Sequence, residues 1–113
     1  MIVIVFGLPA TGKSYFSQHL ADETGAAYLN TDIVRKELNL QGLYTPGSKR
    51  RVYDRLLLQA EQKARKQKMV IVDGTFHRKE SRRRFREKAR SWDQPVRFIE
   101  MKATDRTVMD RIS

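Results

Sequence analysis

The sequence has no cysteine among its 113 residues. That excludes disulfide staples and thiolate zinc sites, and it is compatible with a reducing compartment. Long apolar runs are also missing. The opening MIVIVF is too short for a signal-peptide core and has no basic segment before it. Nothing approaches the roughly 20 apolar residues that a membrane helix needs. The expectation is a soluble cytoplasmic protein that does not engage membranes. Acidic residues are scarce, at 13 Asp and Glu against 23 Lys and Arg, for a net charge of +10. Such an excess favours anionic partners, whether nucleotides, phosphorylated metabolites, nucleic acid or anionic lipid, without choosing among them. Repeats, low-complexity tracts and linker-like stretches are absent too, so residues 1–113 read as one small domain.

Apolar runs and helical spacings do alternate along the chain. Residues 2–6, IVIVF, are continuously apolar and mostly β-branched, as in a strand buried on both faces. A helix is expected from Lys13 to about Thr24, then a short strand at 26–30. A second helix runs to about Leu38 with Thr31 as its cap. Residues 39–48 read as a loop, and Ser48 as the cap of a long helix to about Gln67. MVIVD at 69–73 is the second strongly apolar strand. A basic helix over about 78–92 carries Phe85, Ala89 and Trp92 as its apolar stripe. PVRFIEM forms a fourth strand, and Thr104 opens a last helix. This order predicts an α/β fold: a mostly parallel sheet with helices on both faces, in three layers.

Gly7-Leu8-Pro9-Ala10-Thr11-Gly12-Lys13-Ser14 matches G-x-x-x-x-G-K-[ST] at every defined position, after a buried strand and before a helix. The residue types suit a phosphate cradle of the P-loop NTPase type. Glycines permit backbone angles and close approaches that side chains block. The main-chain N–H groups between them converge on phosphate oxygens at the N-terminus of the following helix. Lys13 reaches the β and γ phosphates, and the Ser14 hydroxyl is placed to ligate Mg²⁺.

Two acids bear on what happens to that phosphate. Asp73 ends MVIVD at the carboxyl end of a strand, where open α/β sheets expose ligand-facing groups. It fits a metal-orienting carboxylate, and it also fits an ordinary Asp-Gly turn. In LNTDIVRKEL, residues 29–38, Asp32 and Arg35 are three apart and share a helix face. Asp32 fits a general base for an acceptor hydroxyl, with Arg35 holding the acceptor or the transferring group. The same pair also fits a surface ion pair beside a helix dipole.

From the cradle through NTDIVRKEL and VIVDGTF to VRFIEM, the chain resembles P-loop kinases of the polynucleotide-kinase and zeta-toxin type, often grouped as AAA-like ATP-binding domains. Gluconate and chloramphenicol kinases are more distant relatives. The resemblance implies ATP and Mg²⁺ as cofactors, residues 7–15 including Tyr15 as the nucleotide-binding loop, and Lys13, Asp32 and Arg35 as catalytic residues. It implies Ser14 and Asp73 at the metal, and Asp32, Arg35 and Thr75 at the substrate. The implied reaction is transfer of the γ-phosphate to a hydroxyl of a small molecule or a nucleic-acid 5′ end. Members of the group continue into a lid bearing arginines and a further strand. The chain stops at Ser113, so the expectation is a shortened domain whose lid and last strand are missing, with a partner chain as one possible source of the lid. Arg106 and Arg111 are the nearest arginines to that point.

FHRKESRRRFREKAR, residues 76–90, is dense enough in cations to contact nucleic-acid phosphates, but a solvated helix face with a Glu80–Arg84 pair accounts for it better, since Phe85, Ala89 and Trp92 need a core on the opposite side. His77 reads as a loop residue or a substrate contact, and His19 as structural. Three functions remain open: a phosphotransferase, a nucleotide-binding or ATPase module without an acceptor, and a nucleic-acid-binding domain with a vestigial cradle.

Overall fold

A computed structural model of the chain describes residues 1–7, 11–76 and 78–102. Four strands and four helices occupy those residues: β1 (Ile2–Gly7), α1 (Lys13–Thr24), β2 (Ala27–Asn30), α2 (Thr31–Glu37), α3 (Pro46–Ala64), β3 (Val70–Gly74), α4 (Lys79–Ser91) and β4 (Val96–Met101). Leu8, Pro9 and Ala10 of the cradle, His77, and the helix expected from Thr104 with Arg106 and Arg111 lie outside the described residues.

All strand pairings are parallel, in the order β2-β3-β1-β4. The chain leaves β1 and skips a position to lay down β2. It then returns to fill the gap with β3 and crosses to the other side for β4. The central strands are therefore the two most apolar ones, β1 and β3, whose residues Ile2–Val5 and Val70–Val72 are buried. A continuous apolar run is stable only where both sheet faces are covered.

Alternation along β1 divides the core. Ile2 and Ile4 face a cluster that includes Val34, Val52, Leu56, Ala60, Phe76 and Phe85, contributed largely by α2, α3 and α4. Val3 and Val5 face a smaller cluster with Ala21 of α1 and Ile71 of β3. The three expected layers are present, with α1 on one face and the other three helices opposite. β4 is the least buried strand, with Arg97 and Glu100 exposed.

Two helix starts differ from expectation. Asn30, not Thr31, caps α2: its side-chain oxygen accepts from the Asp32 and Ile33 amides at 2.7 and 3.2 Å. Asn30 keeps extended backbone angles at the end of β2, the conformation an N-cap needs, while Thr31 is already helical and buried. Thr45, not Ser48, caps α3, accepting from the Ser48 amide at 3.2 Å. Pro46 fits the first turn because it has no N–H to leave orphaned, so the helix begins before the serine.

Candidate functional site

The parallel arrangement brings the ends of β1, β2 and β3 to one edge of the sheet. Asn30 lies in register with Asp73, and Asp73 with Val5, two residues before Gly7. The strand exit, the cradle and the start of α2 are therefore neighbours, although 65 residues lie between Gly7 and Asp73 in the chain.

The cradle departs from its strand in a way that excludes larger residues. Gly7 has φ +149°, and a Cβ placed there would stand 2.3 Å from the Met101 carbonyl oxygen. Its amide donates to the Thr75 carbonyl at 3.4 Å, tying the turn after β1 to the turn after β3. Gly12 closes the loop as the N-cap of α1 with φ +82°, in the left-handed region. Thr11 is buried, and Lys13 and Ser14 are the first two residues of the helix. Tyr15 is exposed on the first turn, its ring stacked parallel to that of His19 with centroids 6.2 Å apart. His19 is exposed, with Nε2 3.8 Å from a Glu23 carboxylate oxygen.

Asp73 is the centre of the edge. It is 1% exposed, and its Oδ2 accepts three hydrogen bonds. Ser14 Oγ donates at 2.9 Å, Tyr28 OH at 2.7 Å and Asn30 Nδ2 at 3.0 Å. A carboxylate taken out of water needs such donors. Asn30 also donates to the Tyr28 hydroxyl at 2.9 Å. Burial first, and then the hydrogen bond to Asp73, push the Tyr28 phenol above its ordinary pKa. The Asn30 amide therefore has two duties: its nitrogen holds Asp73, while its oxygen caps the helix carrying Asp32 and Arg35.

Asp32 and Arg35 meet as their spacing suggests, with Nη1 to Oδ1 at 3.5 Å, but in unlike surroundings. The Asp32 side chain is 80% exposed and that of Arg35 only 8%. The guanidinium lies 4.5 Å from the centre of the Tyr44 ring, and its buried Nε has no hydrogen-bond partner among the described residues. Asp32, Arg35, Lys36, Gln41 and Tyr44 surround an open recess there. Thr75 follows Asp73 by two residues, its hydroxyl 3.5 Å from that of Tyr53.

The donor set suits Mg²⁺. Ser14 and Asp73 offer the hard oxygen donors that this ion takes. Among the described residues no group of three or more His, Cys, Asp or Glu side chains forms a metal cage. Mg²⁺ ordinarily keeps several waters and takes phosphate oxygens, so a serine and one carboxylate are sufficient protein partners.

Three arginines of the basic helix reach other elements, while Arg78, Lys79, Arg83, Lys88 and Arg90 are exposed. Arg82 donates to the Phe76 carbonyl at 2.6 Å and covers the Phe6 ring. Arg86 covers Phe98, and Arg83 approaches Glu87 at 4.0 Å. Arg84 pairs with Asp54 of α3 at 2.5 Å rather than with Glu80. Tyr28 and Asn30 are the site residues that sequence reading missed. For Asn30 a signal existed, since asparagine at a strand end before a helix is a favoured cap. For Tyr28 no local pattern distinguishes it from a strand residue packing inward.

No helix among the described residues is long and apolar enough to cross a membrane. The family model described as AAA domain matches residues 2–113. No curated protein matches the chain. Among solved structures, that of APE1195 is 26% identical with a TM-score of 0.79, covering 98% of this chain and 67% of that one. A Pnkp1/Rnl/Hen1 complex aligns with a TM-score of 0.76 at 18% identity, over 99% of this chain and 38% of the other. A gluconokinase from Sinorhizobium meliloti 1021 gives 0.70 at 16% identity, over 97% and 62%. The chain thus spans about two-thirds of the first of these proteins and less of the other two.

Proposed function

The chain belongs to the AAA domain family, with a P-loop α/β fold like that of kinases, and from that premise we propose that it is an ATP- and Mg²⁺-dependent phosphotransferase acting on a hydroxyl-bearing acceptor. One observation carries the reading. The Asp73 carboxylate holds the cradle serine on one side and, through Asn30, the helix of Asp32 and Arg35 on the other. An ATPase that transfers to water needs no such anchored acid–arginine helix.

In the proposed reaction the main-chain amides of the cradle and Lys13 bind the triphosphate. Ser14 and Asp73 would hold Mg²⁺, which when bound would supply positive charge against the β and γ phosphates. Arg35 and Thr75 orient the acceptor. Asp32 takes the hydroxyl proton as the acceptor oxygen bonds to the γ-phosphorus. The bond from that phosphorus to the β–γ bridging oxygen breaks, and ADP leaves with the electron pair. The exposure of Asp32 gives an acceptor access to it, and the Arg35 guanidinium paired with it lines the same recess, where its charge faces an incoming acceptor oxygen.

The test is ADP release by the purified chain with Mg²⁺, alone and with a panel of alcohols, sugars and 5′-hydroxyl oligonucleotides. Stimulation by one acceptor class, with phosphate recovered on it, is the expected result. Turnover that no acceptor changes, with all phosphate released as the free ion, would show a hydrolase instead.

A further inference from the structure

A second recess, of about 340 Å³, lies between the first turns of α3 and α4. Lys49, Arg50 and Tyr53 line it from α3, and Arg78, Glu80 and Arg84 from α4 and its cap. Four cations against one acid leave it strongly positive. Arg84 is held by Asp54, whereas Lys49, Arg50 and Arg78 enter no ion pair among the described residues. Like charges gathered in a concave wall repel one another and raise the local concentration of anions.

The backbone adds to this field. α4 is a 13-residue helix whose N-cap, Arg78, makes no side-chain capping bond. Its first-turn N–H groups and the positive end of its dipole are thus left for another acceptor. α3 differs, since Thr45 caps it.

The floor of the recess connects with the reacting edge. The Tyr53 hydroxyl accepts from the Phe76 amide at 3.2 Å and lies 3.5 Å from Thr75 Oγ1. The Thr75 carbonyl in turn receives the Gly7 amide. A ligand seated between Lys49 and Arg78 therefore lies one side chain away from the turn that follows Asp73.

The geometry points to this recess as the docking site for a phosphate carried by the acceptor, monoester or diester, separate from the phosphates of the nucleotide. The identification of the ligand as the acceptor rests on the phosphotransferase reading; the anion site itself does not. Arginine forks and an uncapped helix start suit phosphate oxygens, and a neutral sugar gains nothing from them.

Calorimetric titration at low salt tests the site directly. The probes are glycerol 3-phosphate, a short oligothymidylate with a free 5′ hydroxyl, and glycerol as the neutral control. In Lys49→Gln/Arg78→Gln, affinity for the phosphorylated probes should fall roughly tenfold or more, with ATP affinity unchanged as proof of folding. Lys13→Ala should do the reverse. Loss for both probes supports the site and assigns it to a phosphate on any small alcohol. Loss for the oligothymidylate alone supports it and assigns a strand phosphodiester. Wild-type-like binding of both probes by the double variant would overturn the proposal, as would a wild-type chain that prefers neither over glycerol. Probe binding through the recess without any phosphoryl transfer would refute the phosphotransferase reading and leave the anion site standing.

Discussion

The two halves of the sheet edge are built on opposite terms. Around Asp73 the polar groups are bonded to one another: a buried carboxylate whose Oδ2 takes donors from exposed Ser14, half-buried Tyr28 and buried Asn30, and an asparagine with both ends of its amide in use. Around Asp32 the carboxylate is in solvent, the ion pair is loose at 3.5 Å, and the Arg35 Nε has no hydrogen-bond partner among the described residues. A closed network fixes geometry before any ligand arrives, whereas an exposed carboxylate in a loose ion pair can exchange solvent for a ligand. On the proposed reading, Asp73 and its donors form a preset metal side, and Asp32 and Arg35 an acceptor side completed by substrate.

That contrast can be broken most sharply at the exposed acid. Asp32→Asn should lower acceptor-dependent transfer roughly 100- to 10,000-fold, with nucleotide affinity and thermal stability nearly unchanged. Equal losses in transfer and in nucleotide binding would put Asp32 in the binding half instead.

Asp73→Ala should behave in the opposite sense. It strands three donors, two of them on half-buried or buried side chains, and should cost about 2–4 kcal/mol in denaturant unfolding. An unfolding midpoint that does not move would mean that water replaces the carboxylate freely and the network is not closed.

Asn30→Ala tests the link between the halves. Loss of the cap and of one Asp73 donor should cost about 1–2 kcal/mol. Transfer should fall more than nucleotide affinity, because α2 loses its anchor. Restoration of stability but not of transfer by Asn30→Ser would separate capping from the bond to Asp73.

Tyr28→Phe gives the smallest effect, about 1 kcal/mol or less near neutral pH, with a distinctive pH signature. The folded phenol keeps its proton above the unfolded value near 10. The unfolded state therefore loses that proton first as pH rises. The stabilisation is complete below about pH 10 and disappears as pH climbs through the raised folded value. Stability of the wild type should thus fall more steeply with pH above 10 than that of Tyr28→Phe, measured by denaturant titration. Parallel slopes would place the hydroxyl in ordinary solvent.

Much of this was readable from residue order. The runs IVIVF and MVIVD had to be central strands, because only a doubly covered strand tolerates continuous apolar residues. The cradle followed from glycine spacing in a strand-to-helix context. Less legible were the helix starts: Asn30 and Thr45 won over Thr31 and Ser48 because the cap must keep extended backbone angles, which depends on where the preceding strand or loop ends. The charge pattern of residues 76–90 misled in detail, since Arg84 found Asp54 on a neighbouring helix instead of Glu80 on its own.

Residue sequence by itself determined the phosphate loop, the α/β alternation and the acid three residues before Arg35, all of them local features written in adjacent or periodic positions. Only the tertiary structure decided that β3 inserts between β1 and β2. That placement brings Ser14, Tyr28 and Asn30 onto a single oxygen of Asp73. Strand order follows from how crossovers pack their helices against both faces at once, so contacts between residues more than 40 positions apart have no signature in either segment alone.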